Sequence, residues 1–177
     1  MLYSEPMRAP MAGWTASLLG GLLAILLGLA ASPVQAENLV VNPGFDTGVN
    51  GWTVNNAAWD GTHDAEGSAA SGSARSFRFL AGPNDCIDTI SQCVTGLSGG
   101  ARYDFGGKIL IPTSLNQTTG GQGSIDVQWY SDTCGSALLR TDFGPTVDST
   151  ANADVWTPSS TSGVTAPSGA TSARLTG

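Results

Sequence analysis

Every second residue is apolar in two regular stretches of this chain, and that alternation narrows the folds open to it more than any other feature. In Tyr103 to Ile111 the residues Tyr103, Phe105, Ile109 and Ile111 share one parity, while Asp104 and Lys108 take the other. In Ile125 to Ser131, Ile125, Val127 and Trp129 oppose Asp126, Gln128 and Tyr130. Side chains alternate across a strand, so such a stretch is apolar on one face only. Antiparallel strands with one face on a core and the other in water account for both patterns. Over the 141 residues from Glu37 to Gly177 no segment keeps a 3.6-residue period, and 53 of them are Gly, Ser or Thr. That balance disfavours helices and suits short strands joined by turns.

The remaining strands are shorter. Asn38-Leu39-Val40-Val41 reads as a first strand stopped by Asn42-Pro43-Gly44, where Pro presets φ and Gly accepts a positive one. Trp52-Thr53-Val54 and Ala57-Ala58-Trp59 read as short strands around a tight reversal at Asn55-Asn56. Gly61 to Gly72, carrying His63, Asp64 and Glu66, is a polar loop. Ser73 to Leu80 sets Phe77 and Phe79 against Arg78, and Ile87 to Val94 has Ile90 and Val94 as its buried members. Leu138 to Phe143, Val155 to Ser162 and Thr171 to Leu175 complete a set of about ten strands punctuated by turns. The expectation is all-β: a two-sheet antiparallel β-sandwich forming one domain, 37–177, without internal repeats.

The first 36 residues differ in kind. Leu18 to Ala31 is an uncharged apolar run, preceded by Arg8 and followed by Ser32-Pro33-Val34-Gln35-Ala36. This is a secretory signal pattern with its cut after Ala36, which predicts a secreted, periplasmic or cell-surface protein that has left the membrane. Met7 and Met11 are alternative starts, and the competing reading is an uncleaved anchor over Ala12 to Ala31. Export exposes Cys86, Cys93 and Cys134 to oxidising conditions, and three thiols allow at most one internal bridge. Cys93 lies in one candidate strand and Cys134 follows another, so Cys93–Cys134 is the expected bridge with Cys86 free, and Cys86–Cys93 is the alternative. One His and no CxxC argue against zinc. Seven Lys and Arg against fourteen Asp and Glu give a net charge of -7, which argues against nucleic acid or an anionic membrane as partner.

An ordered set of short motifs adds a resemblance. Asn38 to Asp46 (NLVVNPGFD), Gly51-Trp52-Thr53, Ser71-Gly72-Ser73, Gln92-Cys93-Val94 with Tyr103, Trp156, and Ala166-Pro167-Ser168-Gly169-Ala170 occur in that order. Together they resemble carbohydrate-binding modules of families 4 and 9, within the galactose-binding-like jelly rolls. The resemblance implies a jelly-roll sandwich that binds poly- or oligosaccharide through a sheet face or cleft without catalysis, with Trp52 and Trp156 as packing residues. It also implies a structural Ca²⁺ held in part by Asp46, whose plainer reading is an Asx-type turn residue. Such modules continue past the A-P-x-G-A segment into an Asp-rich closing strand, whereas this chain stops at Gly177. A missing strand would leave an open sheet edge inclined to self-association.

Sugar binding needs a flat ring for the apolar face of a pyranose and polar groups for its hydroxyls. Tyr130, on the polar parity of its strand with Gln128 and Asp126, is the first candidate. Arg78 holds a matching outward position on another strand. The plain alternative is a solvated sheet face with an incidental Tyr. Trp59 is a second aromatic candidate, set against a core role, and Trp129 is assigned to the core by parity. Catalysis has little support: His63 stands alone, and no nucleophile-elbow, zincin or P-loop motif occurs. Two further functions stay open, a surface or matrix interaction module without a sugar ligand and a small glycan-active hydrolase.

Overall fold

The computed structural model describes residues 2–8, 37–76, 89–113 and 121–177. Its strands in chain order are Leu2–Arg8 (β1), Thr53–Asn55 (β2), Ala57–Asp60 (β3), Ser73–Ser76 (β4), Thr89–Thr95 (β5) and Arg102–Ile109 (β6). They continue with Gln122–Gly123 (β7), Asp126–Tyr130 (β8), Leu138–Asp142 (β9), Val147–Asp148 (β10), Thr157–Thr165 (β11) and Ser172–Thr176 (β12). One short helix, Ser149–Asn152 (α1), is capped by Asp148, whose carboxylate accepts from Thr150 N at 2.7 Å. Two five-stranded antiparallel sheets result, β11-β6-β1-β4-β3 and β2-β5-β12-β8-β9, and β10 pairs with β7 in a small ribbon.

The predicted parity holds where it was clearest. Tyr103, Phe105 and Ile109 of β6 share one buried cluster with Val127 and Trp129 of β8 and Ala173 and Leu175 of β12. Because β6 belongs to the first sheet and β8 and β12 to the second, this cluster is the core between the sheets. The Tyr103 and Trp129 rings meet across it at 5.7 Å. Trp129 is fully buried, and its indole N–H donates to Asp142 Oδ2 at 2.7 Å, so burying the ring leaves no polar atom unsatisfied. Gly106 on β6 lies tight against β11: it takes φ +144°, and a Cβ there would stand 2.3 Å from Ser160 Cα.

Two expectations change. Asn38 to Val41 is not a strand, because Val41 pairs with a side chain instead of a neighbouring backbone: its N–H donates to Gln92 Oε1 at 2.7 Å, and its carbonyl accepts from Gln92 Nε2 at 2.9 Å. Beyond it Asn42, at φ +50°, knots the turn, accepting from Asp46 N at 2.8 Å and donating to the carbonyls of Gly48 and Asn50. The chain does not fold back across Asn55-Asn56 either. Asn56 at φ +52° carries it from β2 in the second sheet to β3 in the first. β12, the last strand, is the centre of its sheet, paired with β5 and β8 along its whole length. The interior place in the first sheet, between β6 and β4, is held by β1, with five register partners on β6 and one, Leu2 opposite Ala74, on β4. The pairing with β6 shifts register between Glu5 and Arg8, where Pro6 has no N–H to donate.

Candidate functional site

The sequence Ser172-Ala173-Arg174-Leu175-Thr176 sends Ala173 and Leu175 into the core and therefore Arg174 and Thr176 to the outer face of the second sheet. The same alternation turns Thr89 and Ser91 of β5 outward, and with them Asp126 and Gln128 of β8. Register sets Ser91, Thr176 and Asp126 in one cross-strand row and Arg174, Gln128 and Thr141 in the next. Together with Phe143 these residues line a groove of about 260 Å³. Phe143, just beyond β9, is 74% exposed, a ring that the fold leaves in water.

Arg174 is held in place from two sides. Its guanidinium lies over the Tyr130 ring, 5.3 Å from the centroid, and Nη2 donates to the carbonyl of Cys134. Cys134 is itself fixed by its disulfide to Cys93, with Cα atoms 6.0 Å apart, and by its N–H donating to Ser172 Oγ at 3.1 Å. The turn around it closes on Asp132, whose carboxylate accepts from the N–H groups of Gly135, Ser136 and Ala137. Those donors, Gly135 first, hold the Asp132 carboxyl below its ordinary pKa. At the other end of the groove Asp126 Oδ1 accepts from Gly144 N at 3.0 Å.

The structure sorts the sequence candidates. Asp126 and Gln128 lie on the outer face and line the groove. Tyr130 points to the expected face but is only 4% exposed: Arg174 covers its ring, and its hydroxyl donates to Gln128 Oε1 at 2.9 Å, so it supports the groove floor and offers no open stacking surface. Trp59 lies on β3 in the other sheet, 42% exposed, with its indole N–H donating to Phe45 O at 2.7 Å, and takes no part in the groove. Arg78 and Cys86 lie outside the described residues. The Cys93–Cys134 bridge is present as expected. Asp46 is exposed, and among the described residues no three His, Cys, Asp or Glu side chains gather to hold a metal. Arg174, Phe143 and the hydroxyl row were missed, although the Ala173/Leu175 alternation already assigned Arg174 and Thr176 to the outer face.

The polar loop after β3 holds the other dense cluster. Asp60 accepts from the Thr62 hydroxyl at 2.5 Å and the Thr62 N–H at 2.8 Å, and lies 3.2 Å from His63 Nδ1 and 3.7 Å from Arg75 Nη1. Burial pushes the Asp60 carboxyl up, but Thr62 and His63 outweigh it and bring the pKa below the ordinary value. A His, an Asp and a hydroxyl lie together here in the wrong order for nucleophilic catalysis. Thr62 Oγ1 and Asp60 both meet Nδ1, whereas a triad needs the hydroxyl on the ring nitrogen opposite the carboxylate.

Among the described residues no helix is long and apolar enough to cross a membrane. No protein-family model matches the chain, and no curated protein or solved structure matches it. The functional reading therefore rests on the chemistry of the groove.

Proposed function

We propose that this chain is an exported, non-catalytic carbohydrate-binding module in which a leader, 1–36, precedes a jelly-roll domain, 37–177, and the outer groove of the second sheet takes a poly- or oligosaccharide. The observation that carries this reading is the pairing of the exposed Phe143 ring with a strip of hydroxyls, an amide and two opposite charges, which suits a pyranose face and its hydroxyl groups. The ordered motifs from Asn38 to Ala170 support the module assignment. The disulfide is compatible with an oxidising compartment. Among the described residues a single carboxylate, Asp126, lines the groove, where glycoside hydrolysis uses two; this supports binding over turnover and makes a hydrolase the weakest alternative.

The test is a glycan array and polysaccharide pull-down with the whole protein, beside Phe143→Ala. Retention of at least one glycan, weakened in the variant, is the expected result. A folded protein that retains none would replace this reading with the second, a surface or matrix interaction module without a sugar ligand. The thin aromatic lining, one ring, is what favours that alternative.

A further inference from the structure

Among the described residues Arg174 is the one cation lining the groove, in a chain whose net charge is -7. Its place is set before any ligand arrives, by the Tyr130 ring beneath it and by the carbonyl of a disulfide-anchored turn. A guanidinium carries five N–H donors, and Cys134 O takes one of them. Among the described residues no carboxylate lies within ion-pair distance of it. Asp126, the nearest acid by register, sits on the diagonal, since Arg174 is opposite Gln128 while Asp126 is opposite Thr176. Asp126 is turned to its own strand's exit instead, where its Oδ1 accepts from Gly144 N–H at 3.0 Å, and it forms no ion pair with Arg174. The groove thus has a preset positive end at Arg174, which no carboxylate of the described residues pairs directly, and an acidic end at Asp126.

We propose that the groove selects acidic glycans, a uronic-acid-bearing oligosaccharide whose carboxylate is gripped by Arg174 while Gln128, Thr141 and Thr176 meet its hydroxyls. The planar guanidinium matches a carboxylate in two parallel hydrogen bonds, and the stack on Tyr130 keeps that fork oriented. The proposal rests on the carbohydrate-binding reading and adds to it the charge of the ligand.

Calorimetric titration of the whole protein with an oligouronate, its carboxyl-reduced neutral counterpart of equal length and a sulfated oligosaccharide tests it. The acidic sugar is expected to bind at least tenfold more tightly than the reduced one, and to lose much of that advantage as salt rises from 0.05 to 0.5 M, as screening demands (about these concentrations). Arg174→Gln should bring the two affinities together, and Arg174→Lys should restore part of the gap. Equal binding of acidic and neutral sugars overturns the selection and leaves the sugar-binding reading standing. Tighter binding of the sulfated sugar than of the uronate overturns the carboxylate as the group recognised. Binding of none of the three by folded protein overturns both readings. Should Arg174→Gln fail to fold, the comparison of ligands on the unaltered protein decides the matter alone.

Discussion

Gln92 does with a side chain what a strand would do with its backbone, and removing it tests that account. Its amide is 6% exposed and makes three hydrogen bonds: from Val41 N at 2.7 Å, to Val41 O at 2.9 Å and to Gly51 O at 3.0 Å. Gln92→Leu keeps nearly the same volume, so no cavity opens and the cost is that of the polar groups alone. At roughly 0.5–1.5 kcal/mol net per bond, three bonds come to about 1.5–4.5 kcal/mol. Val41 is exposed, so water can re-satisfy its N–H and carbonyl once the amide is gone, and the cost settles near ~2 kcal/mol. For a domain of this size that lowers Tm by roughly 6 °C. Thermal and urea unfolding measure the shift, and amide exchange at Val41 should accelerate with it. Gln92→Glu sharpens the test. A carboxylate still accepts from Val41 N–H but turns an acceptor toward two carbonyls, which raises its folded pKa above the unfolded value of about 4.3. Its deficit should be largest at neutral pH and shrink as pH falls below that folded pKa, because only the protonated acid can donate. A Tm within 1 °C of wild type for Gln92→Leu, with Val41 still protected from exchange, would refute the argument.

Three more outcomes follow from the structure. Replacing both Cys93 and Cys134 with Ser should cost about 4 kcal/mol by loop entropy across their separation of 41 residues, and should weaken ligand binding because Arg174 leans on the Cys134 carbonyl; chemical denaturation and titration read the two effects. Trp129→Ala should cost about 3–5 kcal/mol, whereas Phe143→Ala should leave Tm nearly unchanged, and a reversal of that order in thermal melts would mean that β8 and β9 face the other way. Asp60, Asp64, Asp132, Asp148 and Asp154 all titrate below their ordinary value, with Gly135 N–H the main cause at Asp132, the Gln122 amide at Asp148 and the Thr113 hydroxyl at Asp154. Their contribution is complete above the unfolded pKa near 3.9 and is lost as pH falls through the folded values, so Tm measured from pH 7 to pH 2 should drop below about pH 4, and a Tm that rises there would contradict it.

Period-two alternation was enough to find β6 and β8 and to sort Val127 and Trp129 from Asp126 and Gln128, because parity is a property of the strand itself. Parity says which face a residue takes, not what lies over it. Tyr130 reads as an open ring and is buried because Arg174, 44 residues later, lies across it. Asn38 to Val41 carries the composition of a strand, yet its hydrogen bonds come from Gln92, 51 residues beyond Val41, and nothing local announces that partner. Trp52 to Trp59 shows where the backbone turns, but whether a turn joins neighbours in one sheet or passes between two is decided by pairing with β5 and β4, which lies outside the segment. The cysteine pair was legible because only a few pairings of three thiols exist. The groove was half legible: its row of outward residues is written in the alternation, while their convergence depends on the order β5-β12-β8-β9.

β1 ties the first sheet to the proposed export of the chain. Its seven residues fill an interior lane, and a cut after Ala36 would carry them away with the leader. Strands in a sheet stand ~4.8 Å apart, so an emptied lane would leave β6 and β4 about two such spacings from each other. Either the β3-β4 hairpin slides in by one spacing to close on β6, or a strand from elsewhere enters, a second copy being one source. The Gly106 and Gly107 backbones, now opposite Glu5 and Ser4, would then face β4 in the first case and a foreign chain in the second. If the leader is cut as proposed, folding of this sheet and cleavage would compete for the same segment, and their order would decide what stands beside β6.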